Sequence, residues 1–99
     1  MAYRLLPEAE SELDGIWLYV AQESGNMEIA ERLIKTIFER FQLLGKQPQM
    51  GRRRDHDLRP WLRSFPVGEY VIIYRIEDQN TLILHVMHGS RDIPRILNE

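Results

Sequence analysis

Near the C-terminal end of the chain, Tyr70-Val71-Ile72-Ile73-Tyr74 is apolar at every position, and Leu82-Ile83-Leu84-His85-Val86-Met87 is nearly so. Both runs are short and rich in β-branched and aromatic residues, which reads as strand. Side chains of a strand point alternately to opposite faces, so a run without alternation needs cover on both. The polar stretch Glu77-Asp78-Gln79-Asn80 turns the chain between the runs, giving strands over residues 69–76 and 81–88. Any fold for this chain must therefore place material on each side of that hairpin.

One covering layer is legible upstream. Pro7 suits the first turn of a helix, where its missing N–H is not needed, and Glu8, Glu10 and Glu12 suit the positive end of the helix dipole. Leu13, Ile16, Trp17, Val20 and Ala21 form one apolar stripe. Ser24-Gly25-Asn26 breaks that helix, with Ser24 or Asn26 available to cap the next. Ala30, Leu33, Ile34, Ile37, Phe38, Phe41 and Leu44 line one face of a second helix, which Gly45 ends and Pro48 keeps from resuming. Trp17, Phe38 and Phe41 read as core. A link this short between two amphipathic helices implies an antiparallel hairpin.

Tyr3-Arg4-Leu5-Leu6 reads as a first strand and residues 62–65 as another, followed by a turn at Pro66-Val67-Gly68. Residues 47–60 read as the least structured part. The expected fold is α+β: a helical hairpin packed on a mainly antiparallel four-stranded sheet, order β-α-α-β-β-β, in a single domain over residues 1–99. The second face of the sheet is left for a partner or for the chain's own C-terminal tail.

Charge and composition narrow the function. The chain has 99 residues and a net charge of −2. Residues 1–46 hold five Lys/Arg against eight Asp/Glu; residues 52–63 hold five arginines against two aspartates. A protein gripping nucleic acid chiefly through phosphates usually carries a clear positive balance. Contact with nucleic acid would here be local, and no stable direct binding is expected. The absence of cysteine removes disulfides, thiolate metal sites and cysteine nucleophiles. The segment after Met1 turns acidic too early for a signal peptide, and no apolar run approaches membrane-spanning length, so the cytoplasm is the expected location.

Three phrases, Arg63-Ser64-Phe65-Pro66-Val67-Gly68, Tyr70-Val71-Ile72-Ile73-Tyr74-Arg75 and Val86-Met87-His88-Gly89-Ser90-Arg91-Asp92, resemble the C-terminal half of the ParE/RelE superfamily of bacterial toxins. The first strand, Pro7-Glu8-Ala9-Glu10 and the helical hairpin also fit that pattern. The chain looks most like the ParE, or plasmid-stabilisation, branch. That resemblance implies a toxin of a type II toxin–antitoxin module that inhibits DNA gyrase by binding and is neutralised by a ParD-like antitoxin. The RelE branch implies a different activity, ribosome-dependent cleavage of mRNA, which must activate a 2′-hydroxyl and stabilise a crowded phosphate. Nuclease members tend to carry an arginine where this chain has Val71, and the tail after Arg91 has no tyrosine.

No catalytic residue is expected; under the nuclease alternative the working groups are Arg75, His88 and Arg91. Target contact is assigned to His88, Arg91, Asp92, Ile93 and Arg95, with an ion pair or tail cap as the structural alternative for Arg91-Asp92. Antitoxin contact is assigned to Arg52, Arg53, Arg59, Trp61 and Arg63, since clustered guanidinium groups suit carboxylates and antitoxins of the ParD type often end in an acidic segment. Trp61 stands where many ParE-like chains have glycine. His85 is expected to pack or face solvent. His56, between Asp55 and Asp57, has metal-ligand chemistry only superficially, and no metal or cofactor is expected.

Overall fold

The computed structural model describes residues 2–97. Its elements are β1 (Tyr3–Leu5), α1 (Pro7–Ser24), α2 (Met27–Lys46), a 3₁₀ turn (Pro48–Met50), β2 (Arg52–Arg53), β3 (Arg63–Val67), β4 (Tyr70–Glu77), β5 (Asn80–His88) and α3 (Ile93–Leu97). The sheet order is β1-β5-β4-β3-β2; β1 runs parallel to β5 and the other neighbours are antiparallel.

Both faces of the β4–β5 hairpin are covered, as its composition requires. On one side Tyr70, Ile72 and Tyr74 of β4 and Ile83 and Val86 of β5 pack with Leu13 and Ile16 of α1 and Ile37, Phe41 and Leu44 of α2. On the other, Ile73 and Met87 pack with Leu62 and with Ile93 and Leu97 of α3. The chain's own tail thus supplies the second cover. Each fully buried Leu, Ile or Phe contributes about 1.5–3 kcal/mol by removal from water.

The hairpin turns tightly. Asp78 and Gln79 take φ of 50° and 67°, and Glu77 pairs with Asn80, so the loop is two residues long rather than four. Positive φ at both positions matches the right-handed twist of the flanking strands. In β5 the register shifts opposite Ile73 and Tyr74, leaving Leu84 without a partner. Such a bulge bends the strand and re-aims the side chains beyond it.

Some local expectations hold and others are corrected. Asn26 caps α2, its Oδ1 accepting the Glu28 amide at 2.8 Å, while Gly25 closes α1 in the left-handed conformation. Gly45 does not end α2. It is buried inside the helix, where a Cβ would lie 3.2 Å from the backbone of Ala2. Glycine there lets β1 cross close over α2. Trp17 is only partly buried and lies in a surface groove with Leu5, Asp14, Ile34 and Phe38, outside the main core; Phe41 is fully buried and Phe38 packs against the core's edge. Pro66 lies within β3, paired with Val71. The strand tolerates it because β2 reaches only Arg63 and Ser64, so the missing N–H faces an open edge.

The segment expected to be loosest is held at defined points. It contributes a fifth strand, Arg52–Arg53, which pairs with Ser64 and Arg63. The Tyr74 hydroxyl donates to the Pro48 carbonyl at 2.6 Å and accepts the Gly51 amide at 2.8 Å. Burial pushes the Tyr74 pKa up, keeping the phenol neutral and able to donate. A side chain at position 51 would collide with that hydroxyl. Tyr74→Phe leaves both backbone groups without this partner. It is expected to lower unfolding free energy by about 1–3 kcal/mol in urea titrations.

Candidate functional site

Two surfaces collect the candidate side chains, one at the His88 end of β5 and one on the loop between β2 and β3. The first is a groove of about 510 Å³ between α1 and the end of the sheet. Glu12, Gly15, Ile16 and Tyr19 form the α1 wall; Tyr70, Val86, Met87, His88, Ser90 and Arg91 form the other. Nothing lies within 4 Å of a Cβ built on Gly15. Packing therefore does not demand glycine there, although glycine inside a helix is less stable than alanine by about 0.8–1 kcal/mol. Its absent side chain widens the groove.

His88 is fixed at the rim. Its Nδ1 accepts the Ser90 amide at 3.1 Å and lies 2.7 Å from Ser90 Oγ. Its ring meets Tyr70 edge-on at 5.3 Å between centroids. An acceptor at Nδ1 puts the proton of the neutral ring on Nε2, which lies 3.8 Å from a Glu69 carboxylate oxygen. Arg91 is exposed, and its side chain forms no ion pair among the described residues. Asp92 does not pair with it; Asp92 Oδ1 accepts the Arg95 amide at 3.3 Å and starts α3. Arg95 is exposed. Ile93 is buried in the second core, so of the five residues expected at a target surface it alone is withdrawn from solvent by the fold.

The groups required by the nuclease alternative do not meet. In β4, Tyr70, Ile72 and Tyr74 face the helices while Val71 and Ile73 face α3, and alternation puts Arg75 on the α3 side. His88 shares the helix side with Tyr70, its cross-strand partner. Arg75 lies five residues along β4 from Tyr70, or about 17 Å at strand spacing, and binds Glu77 at 2.8 Å. His88 and Arg91 share a groove; Arg75 lies far along the opposite face.

Three groove residues, Glu12, Tyr19 and Tyr70, are not marked as site residues by the sequence. Along the chain Glu12 is one more acidic residue at a helix start. In the fold its carboxylate reaches the edge of β5 just past the bulge, accepting the Val86 amide at 3.0 Å and lying 3.2 Å from His85 Nδ1. β1 pairs only as far as Ile83, so Glu12 satisfies an edge amide that no strand covers. No periodic signal marks a bulge, so none could have exposed this contact.

The second surface is the basic loop, and its arginines divide by occupation. Arg54 holds Asp57 through Nε and Nη2, the latter at 2.6 Å, and donates to Ser64 Oγ at 3.0 Å. Arg53 pairs with Asp55 at 2.8 Å. Arg63 donates to the carbonyls of Gly51 at 2.9 Å and Gln49 at 3.4 Å. Arg52 and Arg59 are exposed and form no ion pair among the described residues. Of the five residues expected at an antitoxin surface, Arg63 is thus half-buried and engaged within the loop, while Trp61 stands out at 77% exposure. His56 is exposed, and among the described residues no three His, Asp or Glu side chains are grouped to hold a metal. No helix among them is long and apolar enough to cross a membrane.

A helical hairpin laid on this sheet, with β1 parallel and the remainder antiparallel, is the fold of the ParE/RelE-like toxins. It superposes on a chain of the chromosomal ParDE TA system from P. aeruginosa (TM-score 0.76, 20% identity, covering 89% of this chain and 95% of that one). It also superposes on a chain of the RelBE2 toxin–antitoxin complex from Mycobacterium tuberculosis (TM-score 0.59, 23% identity, 88% and 95%). The chain belongs to the family described as the ParE toxin of the type II toxin–antitoxin system, parDE, which it matches over residues 3–93. Toxin ParE3 of Caulobacter vibrioides (strain ATCC 19089 / CIP 103742 / CB 15) is 30% identical over 82 residues, 83% of this chain and 80% of that protein. Toxin ParE1 of the same organism is 32% identical over 88 residues, 89% and 88% respectively.

The loop carboxylates set a pH dependence. Asp55 is held below the usual carboxylate range, first by the Trp61 amide and then by Arg53; Asp57 is lowered chiefly by its hydrogen bonds from Arg54. Depressed values mean that the stability they supply is complete above the ordinary aspartate pKa of about 3.9 and is lost as pH falls through the lower folded values. The Trp61 amide resonance is therefore expected to titrate with a midpoint below about 3.9, and Asp55→Asn is expected to abolish that titration.

Proposed function

We propose that this protein is a ParE-like toxin that acts by binding, inhibiting DNA gyrase by trapping its cleaved-DNA state, and that a ParD-like antitoxin neutralises it in the cytoplasm. The observation that carries the non-enzymatic part of this reading is the separation of Arg75 from His88 and Arg91, which leaves Arg91 as the one guanidinium lining the groove, beside His88, the phenols of Tyr19 and Tyr70, and a Glu12 carboxylate already engaged by the Val86 amide and His85. The crowded phosphate of a cleavage transition state calls for more positive charge than one guanidinium supplies. The groove and the basic loop are separate exposed surfaces, which suits one target and one inhibitor. His88 and Arg91 are the target-facing pair, with Asp92 and Arg95 beside them; Arg52, Arg59 and Trp61 face the antitoxin, while Arg53 is engaged by Asp55.

Expression of the chain alone should arrest growth, and co-expression of the product of a neighbouring antitoxin-like reading frame should restore it. Purified protein should inhibit gyrase supercoiling and leave mRNA on translating ribosomes intact. Untouched supercoiling with cleaved mRNA would replace this reading by the nuclease one. Removal of residues 91–99 is a poor probe, because it strips Ile93 and Leu97 from the second core; Asn98 and Glu99 lie outside the described residues. Arg91→Glu is the cleaner variant. Its toxicity should fall at least about tenfold, equivalent to about 1.4 kcal/mol of lost target binding, with its melting temperature and antitoxin affinity unchanged.

A further inference from the structure

We infer that Trp61, flanked by Arg52 and Arg59, is an anchor for a short acidic segment of a partner protein that carries an apolar side chain. Trp61 has φ of 72°, the left-handed region that a bulky L-residue seldom occupies. Glycine would adopt this conformation freely. The indole is 77% exposed and lines neither the groove at His88 nor the one at Trp17. Leu62, the next residue, provides the loop's buried apolar anchor. The fold uses only the backbone of Trp61, whose amide donates to Asp55 Oδ1 at 2.9 Å, and any residue but proline would offer that donor. The side chain is thus held outward in a strained conformation with no packing in return. Strain of this kind collects at binding sites.

The charges around it define the ligand. Arg53, Arg54 and Arg63 are occupied within the loop, so the cations open to a partner are Arg52 and Arg59. Their natural complement is carboxylate, and that of the indole is an apolar side chain; Trp and Arg together are the residues that most often dominate interface energies. A long polyanion fits less well. Outside residues 52–63, acidic residues outnumber basic ones thirteen to eight, which opposes a phosphate chain running beyond the loop. A short acidic segment meets only the patch. This deepens the antitoxin reading by stating the partner's chemistry, and a failed peptide titration leaves the growth and gyrase assays of that reading unaffected.

The test uses the full chain, a labelled synthetic peptide of about twelve glutamate and leucine residues, and a labelled oligothymidylate of similar length, sized to a typical single-strand site. The peptide should bind by anisotropy and blue-shift the Trp61 emission. Trp61→Gly should weaken peptide binding at least about tenfold while keeping the melting temperature equal or raising it. Arg52→Gln with Arg59→Gln should weaken it and flatten its salt dependence. The inference is overturned if Trp61→Gly binds the peptide as tightly as the parent chain, if that variant melts at lower temperature, if only the oligothymidylate binds, or if neither ligand does.

Discussion

A β-hairpin that is apolar on both faces has no stable existence in water until each face is covered, and the rest of this protein is arranged around that requirement. The helical hairpin covers one face through Ile37, Phe41 and Leu44 of α2 and Leu13 and Ile16 of α1. The other is covered by the five-residue α3 and by Leu62 from the preceding loop, a much smaller layer. Removing one fully buried Leu or Ile side chain from such a core costs about 2–5 kcal/mol, so α3 is bound into the fold even though it is short and terminal. The surfaces open to partners are what remains after both covers are in place: the groove at the His88 end of the sheet, and the loop that carries Leu62 into the second core.

The basic loop shows how a charged, proline-containing segment is kept in one conformation without a core of its own. Tyr74 reaches from the sheet to hold both ends of the Pro48–Gly51 turn. Arg54 is clamped between Asp57 and Ser64. Asp55 ties the Arg53 side chain to the Trp61 backbone. These hydrogen bonds divide the arginines into those that build the loop and those that project from it. A count of charges along the chain treats all five alike.

A ParE/RelE-like fold does not by itself distinguish a nuclease from a binding toxin, because a fold of this kind can host more than one chemistry. Strand parity is more discriminating. Arg75 and His88 lie on neighbouring strands, yet they face opposite sides of the sheet about 17 Å apart. The distinction between branches thus becomes a question about which side chains share a face.

The hydrophobic pattern determined the helical hairpin, the two long strands and the two-sided cover, because burial periodicity is written residue by residue into the chain. Pro7 and Gly25 marked boundaries for equally local reasons of N–H supply and φ, and the cap of the second helix was narrowed to Ser24 or Asn26, of which the structure uses Asn26. The clustering of arginines at 52–63 was also visible at once. Tertiary structure alone decided the true role of Gly45, the burial of Ile93, the clamp from Glu12 to the Val86 amide, and which arginines are free. The first three depend on partners distant in sequence; the loop arginines pair with aspartates two or three residues away, but only the folded loop decides which of them meet. Trp61 joins the two: the chain names the residue, but only the folded loop turns its backbone left-handed and its indole toward solvent.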